Sequence, residues 1–423
     1  MKKVAIVAYF FHEDNIVGSI RARGLAKYLS EFGWRPTIIT RGDRSYRDDK
    51  FDVIGVDFTE FDRALVKGFD LYVAEDVVSD KVDRTNNLVN LAIDLWNNVT
   101  QIPDAQRGWD RACYSRIAKM CKDREFDAVI TTSGPFSSHL LGARVKRKFG
   151  IPWIADLRDL WSQNHFYIYS KYRNKLDTMI ERKVLRDADF ITSVSNDLVG
   201  KLHLIHEAKE IRAIKNGYDP QEFEDTKELD LVFSLVYAGK IYEGNQDFVS
   251  ILEVISDLLK RDRISRDMIS LEFFGADLPA LTKMIRDLDL GDIVKNNTRI
   301  PRKMMVKKLM GTQLLLLLPW NDPEQKGVIS GKIFDYLAAK RPILSSGHYD
   351  DEATDMIREL NAGVHCKTRE ELETALLNRY DEFITTGKVD YHGHVQQIEQ
   401  LSHRKMAQSF ACLLDESYKK HSR

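Results

Sequence analysis

The chain has 423 residues, too long for one ordinary domain and suited to two of about 200 each. Its 63 lysines and arginines nearly balance 64 aspartates and glutamates, leaving a net charge of −1, with 43% hydrophobic and 30% charged residues. That balance excludes a strongly basic nucleic-acid coat and an acidic solvating tail. The longest apolar run, Leu314 to Trp320, falls short of the about 18 residues that cross a bilayer. The N-terminus reaches charge at Glu13 without a small-residue cleavage site, so it reads as a β-strand and not a signal peptide. The four cysteines, Cys113, Cys121, Cys366 and Cys412, form no CxxC pair. They indicate a reduced, cytoplasmic protein without a disulfide framework or zinc knuckle.

In chain order the pattern alternates strand and helix. Val4–Phe11 is an apolar strand, Ser19–Phe32 has helical spacing and Trp34–Thr40 is the next strand. The stretch from Phe58 to Arg124 is less regular and reads as an added helical excursion. Ala128–Thr132, Pro152–Ala155 and Phe190–Val194 are strands separated by helices over Ser137–Phe149 and Tyr172–Ala188. Near residues 212–228, Asn216-Gly217, Pro220 and a charged stretch mark a turn-rich joint. The alternation then restarts with strands Leu231–Ala238, Ser270–Phe274, Leu314–Pro319 and Pro342–Leu344. Helices fall over Gln246–Lys260, Leu278–Leu288, Ser330–Ala339 and Arg369–Leu377, and Gln396–Tyr418 reads as one long helix. Continuously apolar strands alternating with helices predict α/β architecture, with two doubly wound parallel sheets covered on both faces. The expected division is 1–212, 213–395, and a C-terminal helix over 396–423.

Two such domains would bind ligands at the carboxyl ends of their strands, in the cleft between them. After the first strand come Gly18, Arg21 and Arg23; a glycine at a helix start admits an anion, or simply makes a turn. Ser137 is a candidate helix cap, and His139 would sit in that helix's first turn, structural or facing the cleft. Asp156-Leu157-Arg158-Asp159-Leu160-Trp161 places three charges and a tryptophan at a strand end. They either bind a ligand or lock the loop through an internal Arg158–Asp pair. In the second half, Gly239-Lys240 follows a strand and Ser330-Gly331-Lys332 opens a helix. A helix N-terminus with two lysines suits a diphosphate. Asp335, on the same helix face as Lys332, suits ribose hydroxyls. The alternative is a solvated lysine with a carboxylate favourably placed near a helix start. Asp187-Ala-Asp189 and Asp287-Leu-Asp289 lack the setting of a metal–diphosphate site, and no GxGxxG, GxSxG or P-loop is present. The basic run Arg144–Lys148 reads as a solvated helix face, with contact to anionic lipid headgroups as a second reading.

These segments resemble the GT-B glycosyltransferases, in particular the retaining family 4 group that builds bacterial polysaccharides and glycolipids. IKNGYDPQEF (Ile214–Phe223), VYAGKIYEG (Val236–Gly244), FFGA (Phe273–Ala276) and SGKIFDYLAAKRPIL (Ser330–Leu344) are similar to the donor-side motifs, in order and spacing. DAVITTSGPFSSH (Asp127–His139), GIPWIADLRDLW (Gly150–Trp161) and ERKVLRDADFITSVS (Glu181–Ser195) resemble a bacterial branch. The resemblance implies an enzyme that moves a sugar from a UDP- or GDP-sugar to a saccharide or lipid-linked acceptor in surface-glycan synthesis. Transfer would be with retention and without a metal or other cofactor.

By the same resemblance, Lys240 and Lys332 hold the diphosphate and rank as catalytic, with Asp159 and His139 at the sugar. Gly18, Gly239, Ser330 and Gly331 line the donor, Asp335 binds ribose, and Arg158, Asp159 and Trp161 face the acceptor. No nucleic-acid partner is implied; the protein is expected in the cytoplasm, with peripheral contact at the inner face of the plasma membrane as an option. The chain departs from the pattern at Gly327, where an acidic residue is usual, at Asn245, where a basic one is usual, and in AAKRP (Ala338–Pro342), which lacks a glycine. Two alternatives stand beside this reading: a non-catalytic partner subunit, and a nucleotide-sugar epimerase of the same architecture.

Overall fold

Strands that are apolar on both faces need helices on both sides, and the protein builds two such sheets. The structure is a computed structural model that describes residues 1–12, 17–57, 102–104, 106–165, 167, 169–225, 227–276 and 278–421. The excursion expected after Phe58 therefore lies, over 58–101, outside the described residues. The chain divides into a first unit of Met1–Lys215 with Met406–Arg423, and a second unit of Asn216–Lys405.

The first unit holds strands β1 (Lys2–Val7), β2 (Trp34–Arg41), β3 (Tyr46–Arg47), β4 (Asp52–Val56), β5 (Ala128–Thr132), β6 (Trp153–Leu157), β7 (Phe190–Ser193) and β8 (Ile211–Ala213). They form an eight-stranded sheet in the order β3-β4-β2-β1-β5-β6-β7-β8, parallel except for the β3–β4 pair. Its helices are α1 (Val17–Tyr28), α2 (Arg107–Lys122), α3 (Ser137–Phe149), α4 (Lys171–Leu185) and α5 (Asn196–Ile205). The strand order reverses between β1 and β5, which is where open α/β sheets bind ligands. The first strand ends at Val7, four residues earlier than its apolar run suggested. Ala8 and Phe11 remain buried in the loop beyond it. Ser137 is not a cap: it is the first residue of α3, and its N–H donates to the Asp104 carboxylate at 2.9 Å.

The second unit holds β9 (Phe233–Ala238), β10 (Ile269–Phe274), β11 (Val294–Asn297), β12 (Leu314–Leu317), β13 (Ile343–Ser346) and β14 (Gly363–Cys366). All pairings are parallel, in the order β11-β10-β9-β12-β13-β14. The six strands run in the order of a dinucleotide-fold sheet, with the switch point between β9 and β12. Helices α6 (Val249–Lys260), α7 (Pro279–Asp287), α8 (Arg302–Gly311), α9 (Lys332–Ala339), α10 (Glu352–Glu359) and α11 (Arg369–Thr386) cover it. No described helix is long and apolar enough to cross a membrane.

The C-terminal stretch differs from the single helix expected over Gln396–Tyr418. A turn at Val395–Ile398 and a 3-10 turn at Glu399–Leu401 end at Ser402, whose backbone is extended (φ −95°, ψ 156°), before α12 (His403–His421) begins. The cause is a strand-like bridge: Tyr218 N–H donates to Leu401 O at 3.2 Å and His403 N–H to Tyr218 O at 2.8 Å. Only a glycine fits beside it, since a Cβ on Gly217 would lie 2.6 Å from Leu401 O. Beyond Met406, α12 packs Met406, Ala407, Phe410 and Leu414 into the core of the first unit.

Candidate nucleotide-sugar site

At the switch point of the second unit, β9 ends at Ala238 and the chain turns through Gly239 at φ +126°, a left-handed conformation. The Gly239 N–H donates to Phe274 O at 2.8 Å. A Cβ on Gly239 would sit 3.2 Å from both Cε and Nζ of Lys332. Backbone strain and this contact act together, so Gly239→Ala is expected to cost about 1–3 kcal/mol in stability and to displace the ammonium. Chemical denaturation of the variant measures the first effect.

Lys332 opens α9 and reaches back over the end of β9. Its ammonium donates to the Tyr237 hydroxyl at 2.5 Å and lies 4.0 Å from that ring's centroid. The Tyr237 hydroxyl in turn donates to Lys240 O at 2.9 Å. One turn along α9, the Tyr336 hydroxyl accepts the Ala238 N–H at 2.9 Å, which pins the helix to the strand end. Lys332 has no carboxylate among its described ion pairs, and burial lowers its pKa to about 7. The site thus holds a partly desolvated ammonium that an anion would stabilise.

The loops on either side of the switch point are tied together. Gln246 donates to Leu318 O at 2.6 Å and accepts the Tyr242 N–H at 3.0 Å. Asn321 N–H donates to Asn245 O at 2.7 Å. Asn245 therefore takes part, through its main chain, in a loop clamp. The Lys240 ammonium lies 5.5 Å from the Tyr242 ring centroid, and that ring meets Trp320 edge-on at 5.1 Å.

In the first unit, Ser133 follows β5 and exchanges hydrogen bonds with the main chain of Asp159: its hydroxyl donates to Asp159 O at 3.3 Å and accepts the Asp159 N–H at 3.2 Å. Arg158 grips the Asp159 carboxylate through Nε at 2.9 Å and Nη2 at 2.8 Å. Gly134, at φ +79°, leaves room for Arg158 Nη2, which lies 3.2 Å from where a Cβ would be.

These two switch points have counterparts of known structure. Sucrose-phosphate synthase from Thermosynechococcus elongatus superposes with a TM-score of 0.62 at 13% identity, covering 99% of this chain and 100% of its own. A glycosyltransferase from Rickettsia africae gives 0.60 at 16%, covering 99% of each chain. HepE of Anabaena, solved in complex with UDP, gives 0.59 at 12%, covering 98% of this chain and 100% of its own. No curated protein sequence matches the chain. Residues 18–217 match the family described as a glycosyl transferase 4-like domain. The chain has the GT-B fold of these structures, and the family match is confined to residues 18–217.

The structure brings some of the expected site residues together. Gly239, Lys240 and Lys332 gather at the second switch point, Ser330 and Gly331 form the turn into α9, and Gly18 lies at the start of α1. Others have their side chains packed or paired within the protein. His139 is wholly buried; its Nδ1 meets the Thr131 hydroxyl at 2.8 Å, and that oxygen accepts Trp153 Nε1–H at 2.9 Å. Burial lowers its pKa to about 4, so it is a neutral interior group. Trp161 is also core, 2% exposed and stacked on Phe136 at 5.6 Å, and offers no acceptor platform. The Asp335 carboxylate is not free: Arg302 donates to both of its oxygens, at 2.5 and 2.7 Å, and also holds Glu222 at 2.7 and 2.9 Å. Burial alone would lower the Arg302 pKa, and these two carboxylates raise it instead. Beside them His403, buried and facing Asp219, Asp335 and Arg302, is lowered to about 4 by burial.

Sequence reasoning also missed a hub. Asp156 was read with the loop charges, yet it closes β6, wholly buried, and takes Arg21 at 2.8 and 2.9 Å, Thr132 Oγ1 at 2.9 Å and Thr192 Oγ1 at 2.7 Å. Burial pushes its pKa up; the Arg21 charge and these donors overcome that and hold it low. Thr132 at the end of β5 and Thr192 next to the end of β7, on the two strands that flank β6, were the available signal.

Proposed function

We propose that the protein transfers a sugar from a nucleoside-diphosphate sugar, with uridine or guanosine as base, to a saccharide or lipid-linked acceptor in bacterial surface-glycan synthesis. The observation that carries this reading is the Lys332 ammonium, partly desolvated and without a described carboxylate, at the switch point of the second sheet. As the donor bond breaks, negative charge grows on the departing β-phosphate oxygen. Lys332 and Lys240 would stabilise it there, with Tyr237 fixing the direction of the Lys332 head. Asp335 keeps lone pairs that Arg302 does not fill, so the fixed carboxylate would still accept ribose hydroxyls. A departing phosphate can take the acceptor proton, which supports front-face transfer with retention and needs no metal or protein nucleophile. Arg158 and Asp159 would orient the acceptor.

The test is thermal shift of the whole chain with UDP and GDP, beside Lys332→Ala. At a hundred times its dissociation constant, the right nucleotide adds about 2.7 kcal/mol. Stabilisation of wild type and not of the variant is expected. No stabilisation by any nucleoside diphosphate would sink the reading and favour a non-catalytic partner subunit, for which Arg302's hold on Asp335 is the specific support.

A further inference from the structure

Arg302 stands where helix chemistry gives no reason for it, and it lies outside every motif quoted from the sequence. It is the first residue of α8, whose opening turn has no acid, and a cation at a helix N-terminus opposes the helix dipole. Its partners belong to two other elements. Nε and Nη2 donate to Glu222 Oε2 at 2.9 and 2.7 Å, and Glu222 lies in the 3-10 turn Pro220–Phe223. Nη1 and Nη2 donate to the two oxygens of Asp335 at 2.5 and 2.7 Å, in the first turn of α9. These bonds use all of the guanidinium's N–H groups but one. The remaining N–H, on Nη1, has no described acceptor.

The fork fixes both Asp335 oxygens in one plane and takes about half of the carboxylate's lone-pair sites. The Asp335 side chain is 20% exposed and the Arg302 side chain 41%, so the open edge of this pair meets solvent. Along that edge an oxygen acceptor, Asp335 Oδ2, stands next to the unused donor on Nη1. A hydroxyl both donates and accepts, so it satisfies the two groups together. A hydrogen in the same place satisfies neither and leaves a charged group unpaired. Arg302 also cancels one of the two carboxylate charges that Glu222 and Asp335 would otherwise turn on an anionic ligand.

We propose, resting on the nucleotide-sugar reading of this site, that Arg302 is the residue that makes it select a ribonucleotide over a deoxyribonucleotide. It holds Asp335 as acceptor and adds its own Nη1 donor to the same ribose hydroxyl. Calorimetric titration of the whole chain with UDP, GDP and their 2′-deoxy and 3′-deoxy forms tests this. Wild type should bind the ribonucleotide about ten- to a hundredfold more tightly than one of its deoxy forms, the worth of one hydrogen bond to a charged group. Arg302→Gln frees the Asp335 carboxylate to turn and should bring that ratio down towards unity. A role in folding or in charge alone would weaken ribo and deoxy forms alike and leave the ratio unchanged. Arg302→Lys restores the charge without the fork and should leave the ratio as low as Arg302→Gln does. Arg302→Gln/Glu222→Gln removes the like-charge pair that could unfold the single variant, and should give the same low ratio. If wild type binds neither nucleotide in any form, the donor reading fails and the role of Arg302 with it. If wild type binds ribo and deoxy forms equally, or any of these variants keeps the wild-type ratio, the role of Arg302 is refuted while the donor reading stands.

Discussion

Lys332→Ala is expected to lower kcat/KM for sugar transfer about a hundred- to a thousandfold, the usual loss when one fixed donor to a developing oxyanion is removed. The alanine leaves Tyr237 without its ammonium partner and leaves the switch point without the charge nearest Gly239. Lys332→Arg should not rescue the loss, because the wider fork does not fit between Gly239 and the Tyr237 ring. The pH dependence has a definite sign. Burial lowers the Lys332 pKa to about 7, and a bound diphosphate favours its charged form. Binding is therefore strongest below that value and weakens as the pH rises through it, by up to tenfold per unit. The nucleotide opposes this at low pH, since its terminal phosphate ionises near 6. UDP affinity should peak in the narrow range between these two ionisations, with proton uptake on binding above pH 7. Calorimetry in buffers of different ionisation enthalpy reads that uptake directly. Flat affinity from pH 6 to 9 together with unaltered binding by Lys332→Ala would refute the assignment.

Asp156→Ala is expected to destabilise the first unit by about 3–5 kcal/mol, because it strands the buried Arg21 guanidinium. For a unit of this size that is a fall of roughly 10 °C in melting temperature. The double change Asp156→Leu/Arg21→Met removes the charge with its partner and should cost much less. The pair also predicts an acid limb. The Asp156 carboxyl is held below its ordinary range in the folded state, so its contribution is present above the unfolded carboxyl pKa. It is lost as the pH falls through the lower folded value. Calorimetric unfolding of wild type and the two variants between pH 3 and 7 measures both effects. An Asp156→Ala melting point within a degree of wild type would contradict the hub role.

Much of the fold was legible because periodicity is a local property. The runs Ala128–Thr132 and Leu314–Leu317 are apolar on both faces, and only a parallel, doubly covered sheet buries such strands fully. Less apolar elements escaped notice. Strand β11 reads Val-Lys-Asn-Asn and β14 reads Gly-Val-His-Cys; each is recruited by pairing with one stronger neighbour, β10 or β13. The break before α12 was likewise invisible, since its cause is the bridge to Tyr218, almost two hundred residues earlier in the chain.

The sequence by itself determined the two-sheet α/β class, the joint near Asn216-Gly217 and the gathering of Gly239, Lys240 and Lys332, because glycine turns and strand–helix order are written in adjacent residues. Only the tertiary structure decided which polar side chains are ligand-facing. His139 and Trp161 stand in segments that read as site loops, yet packing against Thr131 and Phe136 closes them off. Asp335 lies on the expected helix face, yet Arg302, 33 residues away, fixes its carboxylate and leaves only the remaining lone pairs to a ligand. Asp156 looks like a loop charge until Arg21 and two threonines from other elements converge on it. Burial and charge pairing depend on neighbours distant in sequence, and those neighbours are known only once the chain has folded.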